Sequence, residues 1–154
     1  MNFVVDASVF VAASRTDEVH YLASREFLQQ VRDQVCNVFC PTLVLPECAA
    51  AVARPTASDS LAEELVSLIE AFPGLQLVPV DLTLARRAAQ VASDHRLRGA
   101  DSVSVTVAET IDAVLVAWDA EMVERGADVV VTMTPLEWTQ KHAAVGTEAG
   151  SSRL

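Results

Sequence analysis

Short apolar runs alternate along this chain with longer stretches in which apolar residues recur every three or four positions, a pattern that predicts strands interleaved with helices. Phe3-Val4-Val5, closed by Asp6, reads as a buried parallel strand ending at its carboxyl edge, and Asp6-Ala7-Ser8 then opens a helix. From Asp17 to about Asp33, Val19, Leu22, Ala23, Phe27 and Val31 fall at roughly helical spacing between charges, which predicts an amphipathic helix. Val35 to Cys40 is a second strand. Pro41-Thr42 sets up a helix over Leu43 to Arg54 that Pro55 is expected to stop.

Leu61, Leu65, Leu68, Ile69 and Phe72 form a helical stripe ended by Pro73-Gly74, and a third strand follows over Leu75 to Val80. Asp81 is placed to cap a helix to about His95, and Arg98-Gly99 marks the break before another from Ala100 to Thr110. Ala113 to Val116 is the clearest buried strand and runs into Trp118-Asp119. A short helix then reaches about Arg125, with Gly126 as its cap, and Val129 to Thr132 gives the last strand. Thr134-Pro135-Leu136-Glu137 has the form of a capping box with proline in the first turn, so a final short helix follows. Four to five strands alternating with helices imply an α/β sandwich around a mainly parallel sheet, whose function gathers at the carboxyl ends of the strands.

Composition narrows this picture. At 154 residues and 51% hydrophobic, the chain is long enough for one core without metal or disulfide staples, and too short for two large domains. Residues 1–142 are expected to form that domain and 143–154 a flexible tail, small and polar from Gly146 onward. No window approaches the ~20 uninterrupted apolar residues of a membrane span. No basic region precedes an apolar run at the start, so a cytoplasmic protein is expected. Cys36, Cys40 and Cys48 fit no zinc spacing and read as small buried residues in a reducing compartment.

The formal charge of −10 argues against broad electrostatic adhesion to nucleic acid or anionic membrane, so a nucleic-acid substrate needs local help from metal or arginine. Lys141 is the sole lysine, which excludes a response-regulator receiver. The chain has no Gly-Lys pair of a phosphate loop, no Gly-x-Ser-x-Gly elbow, and Ser8 stands where a haloacid-type phosphatase needs its second Asp. His20, His95 and His142 make no ligand-spaced pair and are read as structural or exposed.

Four carboxylates fall where this map meets the active edge: Asp6 after the first strand, Glu47 in the helix after the second, Asp101 opening a helix and Asp119 after the fourth strand. Each has apolar or small neighbours, and acids gathered in such surroundings repel one another unless a cation compensates them. Mg²⁺ or Mn²⁺ suits oxygen ligands, and the lack of a His/Cys cluster disfavours zinc. Taken singly, Asp6, Asp101 and Asp119 serve equally as helix caps, and Glu47 as a solvated helix residue.

Four blocks carry a resemblance: Val4-Val5-Asp6-Ala7-Ser8, Pro41-Thr42-Leu43-Val44-Leu45-Pro46-Glu47, Leu97-Arg98-Gly99-Ala100-Asp101-Ser102, and Leu115-Val116-Ala117-Trp118-Asp119. In order and spacing they resemble the PIN domain, most closely its VapC-type toxins of type II toxin–antitoxin systems. The resemblance runs from residue 2 to about 140. It implies strand order 3-2-1-4-5, an acidic metal site of Asp6, Glu47, Asp101 and Asp119, and a supporting hydroxyl from Ser8. It also implies an RNA substrate, an antitoxin whose tail covers the crevice, and a homodimer. One block departs from the pattern, with Ala117 where the family usually has Thr or Ser and Trp118 beside it.

Arg98, three residues before Asp101, is a candidate to hold a substrate phosphate bidentately, and Glu121 to support a second metal, against an exposed helix acid. Two readings follow. The first is a Mg²⁺- or Mn²⁺-dependent ribonuclease that is the toxin of such a pair; the second is a PIN-fold interaction module with weak or no nuclease activity.

Overall fold

The computed structural model of the chain describes residues 1–148. Five strands, β1 (Asn2–Val5), β2 (Asn37–Pro41), β3 (Leu75–Val78), β4 (Val114–Val116) and β5 (Thr132–Met133), form one sheet in the order β3-β2-β1-β4-β5. Every pairing is parallel, so both faces must be covered by the crossover helices. The helices are α1 (Ala7–Ser14), α2 (Tyr21–Asp33), α3 (Val44–Thr56), α4 (Asp59–Glu70), α5 (Leu82–His95), α6 (Gly99–Ile111), α7 (Ala120–Gly126) and α8 (Pro135–Glu148). The expected α/β sandwich and strand order are both present.

Successive residues of a strand face opposite sides, which explains why the central strands are apolar beyond the Asn2 and Asn37 that open β1 and β2. Phe3, Val5, Val38, Cys40 and Val116 pack with Val9, Phe27, Val31, Leu65 and Trp138 on one side of the sheet. Val4, Leu115 and Ala117 pack on the other with Val91, Val105, Ala108 and Met122. Cys36, Cys40 and Cys48 are buried free thiols, as their composition suggested. Trp138 anchors α8 by meeting Phe3 edge to face at 4.7 Å between centroids. The capping box holds the start of that helix: the Thr134 N–H donates to Glu137 Oε2 at 2.7 Å, and the Glu137 N–H to Thr134 Oγ1 at 3.2 Å.

Several local boundaries differ from the sequence reading. Residues 17–20 form turns bonded through Glu18 N–H to the Arg15 carbonyl and Tyr21 N–H to the Glu18 carbonyl, so α2 starts at Tyr21. Val19 and Leu22 are exposed, and Ser24, Phe27 and Val31 carry the buried face. Pro55 lies inside the last turn of α3, which continues to Thr56 and ends where Ala57 turns left-handed at φ 51°. Val129 and Val130 both donate their N–H groups to the Gly126 carbonyl, which leaves them unable to join the ladder and shortens β5. Val35, at φ 53°, likewise stays outside β2.

On α4 the buried positions are Ala62, Leu65 and Ile69, whereas Leu61 and Leu68 are 48% and 60% exposed. These two leucines line a trough of about 590 Å³ that also meets Phe10, Tyr21, Leu28 and Phe72. The final helix is longer than expected, since α8 runs to Glu148. The expected flexible tail otherwise falls on residues 149–154, outside the described residues. No helix among the described residues is long and apolar enough to cross a membrane.

Candidate active site

Parallel pairing of β1 with both β2 and β4 creates the crevice. The chain leaves β1 toward one side and reaches β4 from the other, so the loops part beyond the carboxyl ends of the two strands. Asp6 follows β1 and continues the ladder through its N–H to the Val116 carbonyl at 3.0 Å. Its carboxylate caps α1 by accepting the Ser8 N–H at 3.0 Å. Asp119, three residues beyond β4, caps α7 in the same way by accepting the Met122 N–H at 2.9 Å. Both acids are therefore helix caps, and the same placement puts them at the carboxyl ends of β1 and β4.

Glu47 lies in the first turn of α3, directly beyond β2, and Asp101 in the first turn of α6, whose far end feeds β4. Both are partly buried at helix starts, where the peptide dipoles favour negative charge. Ser8 ties β4 to α1: its Oγ accepts the main-chain N–H of Trp118 at 3.1 Å. Ala117 is fully buried and donates its N–H to the Met133 carbonyl at 3.2 Å, so this position supplies backbone pairing and no hydroxyl.

The acids feel one another. Burial, then the charges of Asp6 and Asp101, push Glu47 up to about 7. Burial also raises Asp101 against the opposing pull of Arg98, with Asp6 and Asp119 adding to the rise. Burial would raise Asp119 too, but the Met122 N–H and the Arg98 guanidinium outweigh it and hold the carboxyl below its usual range. Below the sheet edge, burial pushes the Cys40 thiol up to about 12 and raises Cys48 as well, so neither offers a thiolate to the crevice.

Arg98 is the counter-ion of the site. Its Nε donates to Asp101 Oδ2 at 2.9 Å and its terminal nitrogen to Asp119 Oδ2, so one exposed guanidinium bridges two of the four acids. Among the described residues no three His, Cys, Asp or Glu side chains are grouped so as to hold an ion. The chemistry of the donor set still fits a hard divalent cation: mutually repelling carboxylates, half of them raised by burial, with no imidazole among them. Glu121 is exposed and paired to Arg125 at 2.7 Å, as befits a surface helix acid.

Two residues at the rim were not legible as a unit. The exposed His20 ring lies parallel to the Trp118 indole, 3.7 Å between centroids and 5° between planes. The indole N–H donates to Ser24 Oγ at 2.7 Å. The sequence offered no signal for this pair, which a whole crossover separates.

In the metal-free protein, Glu47 keeps its proton when folded and loses it when unfolded as pH rises from 4.5 to about 7. The folded state binds more protons across that window, so stability falls as pH rises through it. After screening at a half-exposed group the loss is on the order of 1 kcal/mol, or roughly 3 °C in Tm for a chain of this size. Melting curves from pH 4.5 to 8 should show that decline, and Glu47→Gln should flatten it; an unchanged slope in the variant would remove Glu47 as its source.

The sequence pattern of the PIN domain matches residues 3–127. With four-fifths of its length matched, the chain belongs to the PIN domain family. Its fold is similar to that of the toxin VapC20 of Mycobacterium tuberculosis, described as cleaving the sarcin-ricin loop, at a TM-score of 0.70 and 16% identity over 80% of this chain and 95% of the other. VapBC2 from Rickettsia felis, bound to a DNA fragment from its promoter, gives 0.68 at 12% identity over 87% and 98%. FitAcB from Neisseria gonorrhoeae gives 0.65 at 17% identity over 86% and 97%. At these identities the likeness is one of fold. Among curated proteins no sequence match is found.

Proposed function

We propose that the chain is a metal-dependent endoribonuclease, the toxin of a toxin–antitoxin pair, acting in the cytoplasm on RNA phosphodiester bonds. What supports this is the mutual electrostatic influence of four acids from separate segments, with Asp6 and Asp101 acting on Glu47 and Asp6 and Asp119 acting on Asp101. These carboxylates would hold Mg²⁺ or Mn²⁺, which supplies an activated water and charge stabilisation on the phosphodiester when bound.

The chain's own residues have distinct parts. Asp6 is fixed by the α1 cap, and Ser8 locks the backbone between it and Asp119. Glu47, pushed up by burial and by the charges of Asp6 and Asp101 in the metal-free protein, is an acid whose ionisation a bound cation would favour. Arg98, once its two carboxylates are engaged by a cation, is free to fork onto a substrate phosphate at the mouth.

An antitoxin suits the surface in two ways. A basic tail would complement the acidic crevice, and the trough bearing Leu61 and Leu68 offers an apolar seat for the rest of it. The VapBC2 likeness supports such a partner, and a homodimer of the toxin belongs to the same reading. The second reading, an interaction module with weak or no nuclease activity, draws on Arg98 already neutralising Asp101 and Asp119 and on the missing hydroxyl at Ala117.

Incubating the protein with a pool of structured and single-stranded RNA separates the two. Cleavage with Mg²⁺ or Mn²⁺ that a chelator stops is the expected result. Absence of both cleavage and Mn²⁺ binding in folded protein would favour the interaction module.

A further inference from the structure

We propose that the stacked rings of His20 and Trp118 are a platform that holds an unpaired RNA base beside the acidic crevice, an inference that rests on the nuclease reading. Trp118 directly precedes Asp119 in the chain, and its indole reaches Ser24 on α2. Both of its N–H groups are fixed, the main-chain one by Ser8 Oγ at 3.1 Å and the indole one by Ser24 Oγ at 2.7 Å. His20 lies flat against it at 3.7 Å while remaining exposed, just ahead of α2.

Trp118 packs against the core cluster that contains Trp138, but the surroundings of the two indoles differ. Trp138 is 3% exposed and sits among Phe3 and Phe27, edge to face in both pairs. Trp118 is only partly buried, meets polar partners at both donors, and offers its stack toward solvent through a histidine. Fixed aromatic rings with an accessible π face bind bases of any sequence, and they do so without positive charge. That suits a chain with a formal charge of −10, whose field repels the phosphates of its own substrate.

Trp118 and Trp138 are the only tryptophans, so Trp138→Phe leaves Trp118 as the sole indole reporter. Titration of this protein with an unstructured ten-nucleotide RNA in chelator should quench Trp118 emission saturably. Anisotropy of the end-labelled RNA should show His20→Ala and Trp118→Leu binding about tenfold more weakly, within the range of one lost base–aromatic stack, and Trp118→Phe recovering most of the affinity. In Mn²⁺-dependent cleavage the loss in His20→Ala should fall on KM rather than kcat.

Unquenched emission, or wild-type RNA affinity in both His20→Ala and Trp118→Leu, would overturn the platform. Cleavage with unaltered KM in these variants would leave the nuclease standing and remove the platform. Quenching and weakened binding in a protein that cleaves nothing would sustain the platform and remove the nuclease.

Discussion

Asp6→Asn is expected to reduce Mn²⁺-dependent RNA cleavage by roughly 100-fold or more, since charge stabilisation worth several kcal/mol is lost at about 1.4 kcal/mol per tenfold. The substitution isolates charge from structure. Asparagine caps a helix about as well as aspartate, so the Ser8 N–H keeps an acceptor at the start of α1. Removing the charge relieves Glu47 and Asp101, both of which it pushes upward, so Tm should hold or rise. Asp101→Asn should lose cleavage similarly but strands one arm of Arg98, and its Tm should not gain. Identical melting with full activity in Asp6→Asn would dismantle the site assignment; lost activity with a collapsed Tm would return Asp6 to a purely structural role.

The second large effect concerns Arg98. Arg98→Gln should bind Mn²⁺ more tightly, because the guanidinium competes for Asp101 and Asp119. Two exposed pairs at the usual strength make the gain between about two- and thirtyfold. The same variant should bind RNA more weakly if the arginine passes from carboxylate to phosphate. Calorimetric titration of the metal and RNA affinity thus move in opposite directions from one substitution. Parallel weakening of both would mean that Arg98 holds the crevice in shape and does not compete for it. High salt should lift wild-type Mn²⁺ affinity relative to Arg98→Gln, since screening weakens the exposed pairs first.

These expectations rest on features of unequal visibility in the sequence. The strands were legible because burial on both faces leaves no polar position between Phe3 and Val5 or between Ala113 and Val116. Asp6 and Asp119 were legible because an acid at a strand–helix junction is local information, and Asp101 because it stands in the first turn of a helix. Their meeting was not local: it needs the β1–β4 pairing, which came from a family likeness and which the sheet order bears out. The half of Arg98 that reaches Asp101 spans three residues and could be anticipated, whereas its reach to Asp119 crosses α6 and β4.

The differences from the sequence reading have two causes. Apolar residues at helical spacing gave Val19, Leu22, Leu61 and Leu68 to the core, yet periodicity marks a face without saying what covers it. For the last strand the backbone decided, because Val129 and Val130 spend their N–H groups on the Gly126 turn. His20 and Trp118 needed three-dimensional placement altogether.

The register of the sheet also governs when the crevice can exist. Phe3 pairs with Val114 and Val5 with Val116, so Phe3 waits for a strand made more than a hundred residues later. A chain still emerging from a ribosome holds Asp6 and Glu47 long before it holds Asp119, and lacks the strand that would bring them together. On the nuclease reading, the crevice is incomplete until β4 has been made.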